Sequence, residues 1–384
     1  MATDQWTIRN LLTPVATRLL IGGGNPFDLE EVLGRMESVV LRNAKQLEDL
    51  WLSSWDEKAR FYESLAVKAR NDNNLITSLE MYRHATLSRF AAFLINTSSP
   101  EKKKESYLQY RDTYAESIDK PSFPVVPVDI PLDGEAALAA YLHLPPAGRA
   151  AAGAIVLFSG LGSCKEEMHT LARPLAERGI AVLVPDMPGC GVSLFERGIQ
   201  CRIEHIEAAF SSCLHFLTEH EAVANVPVGC AGLCMGGGYA YRAASLNRGY
   251  RYCAVLFPLF VADVPISMIP QWFKAGDWFT YQTGYTNPTE FESVMGCAEK
   301  EHPECPFFIA HGKHDNWMSL ERTRELFSRV PNDDKELLVI ENDSDRHGEY
   351  SAVLHTMPVG EQLHWVKHRF ADWLHRQAST GTGR

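Results

Sequence analysis

Long apolar stretches are missing from this sequence of 384 residues. It nowhere approaches the roughly 20 consecutive apolar residues of a transmembrane helix, and residues 1–10 contain no apolar run of the secretory-signal type. We also find no internal repeat and no low-complexity segment. Positive charge is in deficit, because the formal net charge is −11, and this disfavours nucleic acid and anionic membranes as partners. We therefore expect a soluble, cytoplasmic protein.

The nine cysteines do not follow the pattern of a disulfide framework. Their number is odd, and none precedes Cys164. Cys201, Cys213 and Cys230 follow the spacing of predicted helices and strands. We interpret most of the cysteines as small buried hydrophobic residues, which leaves one of them for chemistry.

Two kinds of periodicity divide the chain. In residues 1–120, apolar residues recur every three or four positions, which predicts an all-helical domain of four or five helices. In residues 121–384, short apolar runs alternate with helical stretches, which predicts an α/β domain with a mostly parallel sheet and helices on both faces. Residues 262–304 are an aromatic-rich insertion in this second domain. The predicted strands are Val125–Leu132, Ala137–Leu144, Ala154–Phe158, Ile180–Val184, Val226–Ala231, Cys253–Phe257, Phe307–Ala310 and Leu337–Ile340.

The sharpest local motif is Gly232-Leu233-Cys234-Met235-Gly236, between a predicted strand and a predicted helix. Glycine two positions before and two positions after the central residue is the pattern of a nucleophile elbow. The glycines let the strand and the helix approach closely, and the side chain at the tip is exposed at the head of the helix. A helix N-terminus also favours the thiolate form of a cysteine. We therefore predict that Cys234 is a nucleophile rather than one more buried cysteine.

A nucleophile of this kind needs an acid and a base from later strands, in that order along the chain. Asp315 follows the predicted strand Phe307–Ala310, and His347 follows Leu337–Ile340. Both lie just beyond strand ends, where a parallel sheet brings functional residues together. The sequence therefore predicts a triad in which His347 accepts the thiol proton of Cys234 and Asp315 orients the imidazole.

Two alternatives remain open for these loops. Asp343 or Asp345 is an alternative to Asp315 as the triad acid. His311 and His314 are an alternative metal-binding pair together with Asp315, although no third ligand motif accompanies them. We expect no metal and no cofactor.

The turn after the first parallel strand, from Phe158 to Glu167, is rich in small residues. Such a turn directs a backbone N–H group at the oxyanion of an acyl-transfer reaction, and the N–H of the residue after the nucleophile is the second donor. We predict Leu161 and Met235 as these donors, with Gly162 as the alternative to Leu161.

Three further side chains of this turn are candidates for a role near the nucleophile. Glu166 or Glu167 is a candidate auxiliary carboxylate that holds the thiol neutral until substrate binds. The alternative is a carboxylate that stabilises a helix start. Cys164 is an alternative thiol, but it has no elbow around it.

Several motifs resemble one branch of the α/β-hydrolases. They are Gly160-Leu161-x-Ser163-x-Lys165-Glu166-Glu167, Pro185-Asp186-x-Pro188-Gly189-x-Gly191-x-Ser193 and the elbow. The branch contains the 2,6-dihydroxypseudooxynicotine hydrolases, the fungal yellowish-green-type polyketide-shortening hydrolases and the fermentation–respiration switch proteins. The resemblance implies an α/β-hydrolase fold, a helical N-terminal cap over the active site and a homodimer. It also implies chemistry such as cleavage of carbon–carbon bonds next to a ketone.

The chain departs from this branch at two places. Cys234 replaces the usual serine, and Ser159-Gly160-Leu161-Gly162 lacks the Asp that usually follows Gly-Gly-Leu. The cysteine elbow is instead similar to that of the dienelactone hydrolases, and cysteine also occurs in Dieckmann-type cyclases of this fold. A thioester is attacked by carbon or nitrogen nucleophiles more readily than an oxygen ester is, so the substitution favours acyl transfer or cyclisation as alternatives to hydrolysis.

The sequence thus predicts an enzyme that forms an acyl intermediate on Cys234 from a small-molecule ester, thioester, lactone or β-diketone. Hydrolysis is the leading expectation. A cyclase or acyltransferase of secondary metabolism is the first alternative, and a hydrolase-like binding protein without turnover is the second. We predict that Trp272, Trp278 and Phe279 of the insertion line a pocket for an aromatic or polyketide-like acyl group. The alternative is that these rings pack on the core.

Overall fold

The computed structural model describes most of the chain. The described residues are 15–16, 18–20, 22–39, 43–96, 99–118, 123–132, 134, 136–160, 162–258, 277–295, 301–313, 315, 318–340 and 361–380, with side chains in the last segment described for 368–379. The chain divides into two compact units. The first comprises Met1–Asp119 with Pro270–Phe279, and the second comprises Lys120–Ile269 with Thr280–Arg384.

The described part of the first unit contains four long helices. They are α1 (Pro26–Glu37), α2 (Ala44–Asn71), α3 (Leu75–Ile95) and α4 (Pro100–Ser117). Each begins after an Asn or Ser whose side chain accepts a backbone N–H of the first turn, and these caps are Asn25, Asn43, Asn74 and Ser99. The helices bury aromatic rings between them. Trp51 is fully buried, for example, and its indole N–H donates to the carbonyl of Ala91 at 2.8 Å.

The second unit is built on a sheet of eight strands, in the order β1-β2-β4-β3-β5-β6-β7-β8. The pairs β1–β2 and β2–β4 are antiparallel and the remaining pairs are parallel, which confirms the predicted mostly parallel sheet. The strands are β1 (Val125–Ile130), β2 (Leu138–His143), β3 (Gly153–Phe158), β4 (Ile180–Pro185), β5 (Val228–Cys234), β6 (Cys253–Pro258), β7 (Phe307–Gly312) and β8 (Lys335–Ile340).

Helices connect the parallel strands of the second unit. They are α5 (His169–Glu177), α6 (Gly191–Phe195), α7 (Ile203–Glu219), α8 (Met235–Leu246), α9 (Trp278–Thr283, which begins in the first unit), α10 (Pro288–Met295), α11 (Leu320–Arg329) and α12 (Glu361–Thr380). Strands β3, β4 and β6 are buried at every position, as expected for parallel strands covered on both faces, and the antiparallel strand β2 is buried throughout as well. Helix α12 supplies Phe370, Trp373 and Leu374 to this core.

Strand β5 lies in the interior of the sheet and extends further than its apolar run suggests. The sequence predicts its end at Ala231, but the strand continues to Cys234. Helix α8 then begins at Met235, directly after it. The transition from strand to helix therefore takes place at Cys234 itself.

Within the described ranges, no helix is both long enough and apolar enough to cross a membrane.

Candidate active site

Cys234 occupies a strained backbone position between β5 and α8. Its φ is 59° and its ψ is −126°, a combination that residues with a Cβ atom rarely adopt. The residue is half-buried, whereas six of the other seven described cysteines are fully buried. The backbone thus directs a thiol away from the sheet at the head of a helix of 12 residues, as the elbow motif predicts.

The two glycines of the elbow leave no room for a side chain. A Cβ added to Gly232 would lie 1.8 Å from the carbonyl oxygen of Gly236, and one added to Gly236 would lie 2.1 Å from the carbonyl oxygen of Phe158. Strand β5, helix α8 and the end of β3 therefore approach one another through backbone atoms alone. This contact keeps the Cys234 backbone in its strained conformation.

The turn after β3 lies against the nucleophile. A Cβ on Gly160 would be 3.6 Å from the backbone N of Met235 and 3.8 Å from the Cβ of Cys234. The backbone N of Met235, a predicted oxyanion donor, thus lies beside the turn that is predicted to supply the other donor. Leu161, the predicted second donor, lies outside the described residues. Gly162 is described, but no contact of its N–H tests the predicted role, so the choice between Leu161 and Gly162 stays a prediction.

Asp315 lies on the loop after β7, as predicted. Its backbone N–H donates to the carbonyl of Gly312 at 3.0 Å, and its Oδ1 accepts the N–H of Met318 at 3.1 Å. These two bonds fix the carboxylate at the carboxyl end of β7. His347 lies outside the described residues, as do the alternative acids Asp343 and Asp345, so the triad stays a prediction.

Most of the other thiols are buried within the second unit. Cys164 is fully buried, and burial, together with the charges of Glu166 and Asp186, raises its pKa well above the ordinary value. Burial likewise raises the pKa of Cys201, to about 12. Such thiols stay protonated and are poor nucleophiles. The interpretation of most cysteines as small buried residues is thus confirmed for the described part of the chain, and Cys164 is a poor alternative to Cys234.

The two glutamates of the turn have different partners. The carboxylate of Glu166 is fully buried and lies 2.8 Å from the ammonium group of Lys165. The carboxylate of Glu167 accepts a short hydrogen bond from the Ser163 hydroxyl. The predicted auxiliary role of Glu167 at the thiol is untested by these contacts.

Sequence reasoning gave no role to Asp186, the residue that follows β4. Its Oδ1 accepts the backbone N–H of Lys165 at 2.8 Å, and its Oδ2 accepts the backbone N–H of Val192, also at 2.8 Å. The Lys165 ammonium group donates to Oδ2 at 2.7 Å. The signal in the sequence was the motif Pro185-Asp186-x-Pro188-Gly189, which carried the family resemblance without indicating a contact.

His311 is a buried residue of β7. Its Nδ1 lies 2.9 Å from the Thr323 hydroxyl on α11, and burial lowers its pKa to about 4. His314, its partner in the alternative metal site, lies outside the described residues. Among the residues that are described, no group of three or more His, Cys, Asp or Glu side chains is arranged to hold a metal ion.

The predicted pocket aromatics lie partly outside the described residues. Trp272 is one of these, whereas Trp278 and Phe279 are 2% and 6% exposed. The ammonium group of Lys103 on α4 lies 5.4 Å from the centre of the Trp278 ring, a cation–π contact within the first unit. Such burial is compatible with packing in that unit, and the role of these rings in a substrate pocket stays a prediction.

Comparison with known proteins places these features in a family context. Residues 155–380 match the model of the α/β-hydrolase family, and residues 25–260 match a model described as esterase FrsA-like. The 2,6-dihydropseudooxynicotine hydrolase of Paenarthrobacter nicotinovorans is 23% identical in an alignment of 344 residues that covers 85% of this chain and 84% of that protein. Hydrolase LUC6 of a Fusarium species is 27% identical in an alignment of 260 residues that covers 64% of this chain and 61% of that protein.

The fold is shared with a solved structure over nearly its full length. The crystal structure of 2,6-dihydroxy-pseudo-oxynicotine hydrolase matches with a TM-score of 0.74 at 21% sequence identity, covering 96% of this chain and 97% of that one. This likeness confirms the α/β-hydrolase fold predicted from the sequence. The matched families and relatives also confirm the branch that the motifs indicated.

Proposed function

The chain belongs to the α/β-hydrolases, in their FrsA-like branch, and from this premise we propose that it is a hydrolase that works through an acyl intermediate on Cys234. The observation that carries the proposal is the positive φ of Cys234 at the turn from β5 to α8. Residues with a Cβ in such strained conformations cluster at active sites, and Cys234 combines this conformation with the strand–helix turn of an elbow. A cysteine with a structural role alone would not require two glycines packed at this distance around it.

The proposed reaction has two steps. The sulfur of Cys234 attacks the acyl carbonyl carbon while His347 accepts the thiol proton, and the negative oxygen of the tetrahedral intermediate accepts N–H bonds from Met235 and Leu161. The bond to the leaving group then breaks, and the leaving group takes the proton from His347. Water attacks the thioester with His347 as base, which releases the carboxylic acid and restores the thiol. Asp315 orients the imidazole throughout.

For the substrate we propose an ester, thioester, lactone or β-diketone with an aromatic or polyketide-like acyl part. Support comes from the aromatic insertion with Trp272, Trp278 and Phe279, and from relatives named as hydrolases and esterases. For a β-diketone, the leaving group is an enolate carbon, which the same proton transfer from His347 neutralises. No cofactor or metal takes part in this scheme.

The cysteine also supports a second candidate function. A thioester accepts a carbon or nitrogen nucleophile more readily than an oxygen ester does, so a Dieckmann-type cyclase or an acyltransferase of secondary metabolism would use the same first step. The third candidate, a hydrolase-like protein that binds its ligand without turnover, would form no acyl intermediate. These candidates differ in the fate of the acyl group.

Intact-protein mass spectrometry separates the candidates. The wild-type protein is incubated with activated aryl and β-keto thioesters, alongside Cys234→Ala and His347→Ala. We expect an acyl adduct on the wild type that is absent from Cys234→Ala and forms about 100-fold more slowly in His347→Ala. Release of a free acid indicates hydrolysis, and a cyclic or transferred product indicates the second function. An adduct that persists in Cys234→Ala would refute Cys234 as the nucleophile.

We further propose that the protein is a homodimer, as the family resemblance implies, and that it is cytoplasmic. The chain has a mass of 43.0 kDa. Light scattering coupled to size exclusion would show twice this mass for a dimer. A mass of one chain at micromolar concentration would contradict the proposal.

A further inference from the structure

Three charged side chains, two at the end of the turn after β3 and one on the loop after β4, are buried together. The Lys165 ammonium group lies 2.7 Å from Asp186 Oδ2 and 2.8 Å from Glu166 Oε1. The side chain of Lys165 is 4% exposed and the two carboxylates are not exposed at all. Removing three charges from water is costly, so such a cluster persists only where each charge is well paired.

The lysine stabilises both carboxylates of the cluster, which repel each other. Burial alone would lower the pKa of Lys165, but Asp186 and Glu166 outweigh burial and raise it. Burial raises the pKa of Glu166, and Lys165 opposes this shift. The lysine is therefore held in its charged form between two carboxyl groups, close to the ring of Tyr141 at 4.9 Å.

Asp186 connects the loops that follow β3 and β4. Its carboxylate accepts the backbone N–H groups of Lys165 and Val192 in addition to the ammonium group. Gly191 is packed so closely on this carboxylate that a Cβ there would lie 2.2 Å from it. The Asp186 carboxylate thus connects Lys165, at the end of the turn, to the loop after β4. That loop is itself fixed on the sheet, because the backbone N–H of Asp186 donates to the carbonyl of Ala139 on β2 at 2.7 Å.

The same loop also reaches the beginning of the turn. The Cys190 thiol donates to the carbonyl of Gly160 at 3.8 Å. Burial raises the pKa of Cys190, and the Ser163 N–H donates to the same Gly160 carbonyl at 3.1 Å. The turn is therefore held at both ends by residues 186–192, and its Gly160 lies against Cys234 and Met235.

We propose that Asp186 is a positioning residue that holds the turn after β3 at the distance from Cys234 at which the turn stabilises an oxyanion. Asp186 does not touch the reacting atoms and acts through the backbone of Lys165. The proposal rests on the acyl intermediate proposed above. It predicts that loss of Asp186 slows reactions that form an oxyanion and spares reactions of the thiol that form none.

Two reagents separate these effects in the full-length protein. p-Nitrophenyl acetate acylates a thiol through a tetrahedral oxyanion, whereas iodoacetamide alkylates it by direct displacement of iodide, without an oxyanion. Rates at Cys234 are measured by peptide mass spectrometry for the wild type and Asp186→Asn. We expect acylation to fall about 100-fold, the effect of losing one oxyanion donor, and alkylation to stay within about twofold, as expected when the thiol itself is unchanged.

The matched control is Asp28→Asn in the first unit. Asp28 is also a buried aspartate, and it lies 3.2 Å from the ammonium group of Lys58 and accepts the Tyr62 hydroxyl at 2.6 Å. Its substitution should leave both rates within about twofold, because its partners Lys58 and Tyr62 belong to the first unit. If Asp186→Asn does not fold, Asp186→Glu keeps the charge and lengthens the side chain by one methylene, and it should slow acylation at least about 10-fold by displacing the turn.

The outcomes separate this inference from the proposed function. Acylation of both Asp186 variants at the wild-type rate would overturn the inference alone, as would an equal fall of acylation and alkylation. A wild-type protein that is alkylated but not acylated at Cys234 would refute the proposed function, and the inference with it. A selective fall of acylation supports both.

Discussion

At the scale of single residues, the site depends on the absence of a side chain at the two glycines that flank Cys234. The strained backbone of that residue costs about 1–3 kcal/mol, and it persists because β3, β5 and α8 pack through backbone atoms. Gly232 and Gly236 allow this packing, since either would clash with a carbonyl oxygen if it carried a Cβ. The glycines therefore stabilise the elbow by their size, in addition to their backbone freedom.

The packing predicts a large effect for one added methyl group. Gly232→Ala places a Cβ 1.8 Å from the Gly236 carbonyl, so strand and helix must separate, and we expect a loss of about 3 kcal/mol in the free energy of unfolding. Gly312→Ala is the control, because a Cβ at this end of β7 has no neighbour within 4 Å. Urea unfolding measures both variants. Equal stability of the two would show that the contact at Gly232 is not tight.

At the scale of elements, β7 contains a histidine whose environment resists protonation. His311 keeps a pKa of about 4 in the folded chain because it is buried, whereas an imidazole in an unfolded chain titrates near 6.5. Between these values the unfolded state binds a proton that the folded state does not. The sign is thus fixed: the contribution of His311 makes the protein less stable as the pH falls from 6.5 towards 4.

This difference predicts a pH dependence that one substitution removes. Between pH 7 and pH 5, His311 should lower the free energy of unfolding by about 2 kcal/mol. His311→Leu leaves the Thr323 hydroxyl without its imidazole partner at every pH. This loss lowers the free energy of unfolding by the same amount throughout, so only its slope against pH reports on the titration of His311. The exposed His215→Leu on α7 is the control and should keep the wild-type slope. An unchanged slope in His311→Leu would contradict the burial of a neutral imidazole.

Elements differ in how far the sequence predicts them. Buried strands such as β4 and β6 begin where their apolar runs indicate, because burial on both faces demands apolar residues at every position. The end of β5 was predicted three residues early, since Gly232 and Cys234 interrupt the apolar run while the backbone continues as a strand. Helix α12 was not predicted, because polar residues such as His368 and Asp372 lie between its buried ones.

The candidate site likewise contains features that the sequence predicts and contacts that it does not. The elbow at Cys234 and the loop position of Asp315 follow from local motifs and chain order, which a sequence displays directly. The contacts of Asp186 with Lys165 and Val192 join loops that follow different strands, and a single sequence contains no signal for the distance between them. The Cys190 thiol near Gly160 is a contact of the same kind, and the cysteine pattern alone indicated only burial.

At the scale of the whole molecule, the core of the second unit is completed by the last helix described. Trp373 of α12 is 1% exposed, and its ring lies 5.6 Å from that of Phe308 on β7 and 6.1 Å from that of Tyr252. Gly153 at the start of β3 lies so close to this helix that a Cβ there would be 2.5 Å from the Cβ of Ala378. Ala378 thus packs on a strand, β3, that begins more than 200 positions earlier in the chain.

The packing of α12 predicts that stability depends on a residue remote in sequence from the nucleophile. Trp373→Ala should lower the free energy of unfolding by about 3–5 kcal/mol, because it leaves a large cavity between two rings. Arg376→Ala on the same helix removes a side chain that is 59% exposed and lies 3.4 Å from Glu336, and it should cost less than about 1 kcal/mol. Urea unfolding of both variants shows whether the free energy of unfolding depends on the buried face of α12. A small effect of Trp373→Ala on the free energy of unfolding would mean that the sheet is stable without this helix. The alkylation rate of Cys234 in the same variant would then show whether the elbow keeps its geometry.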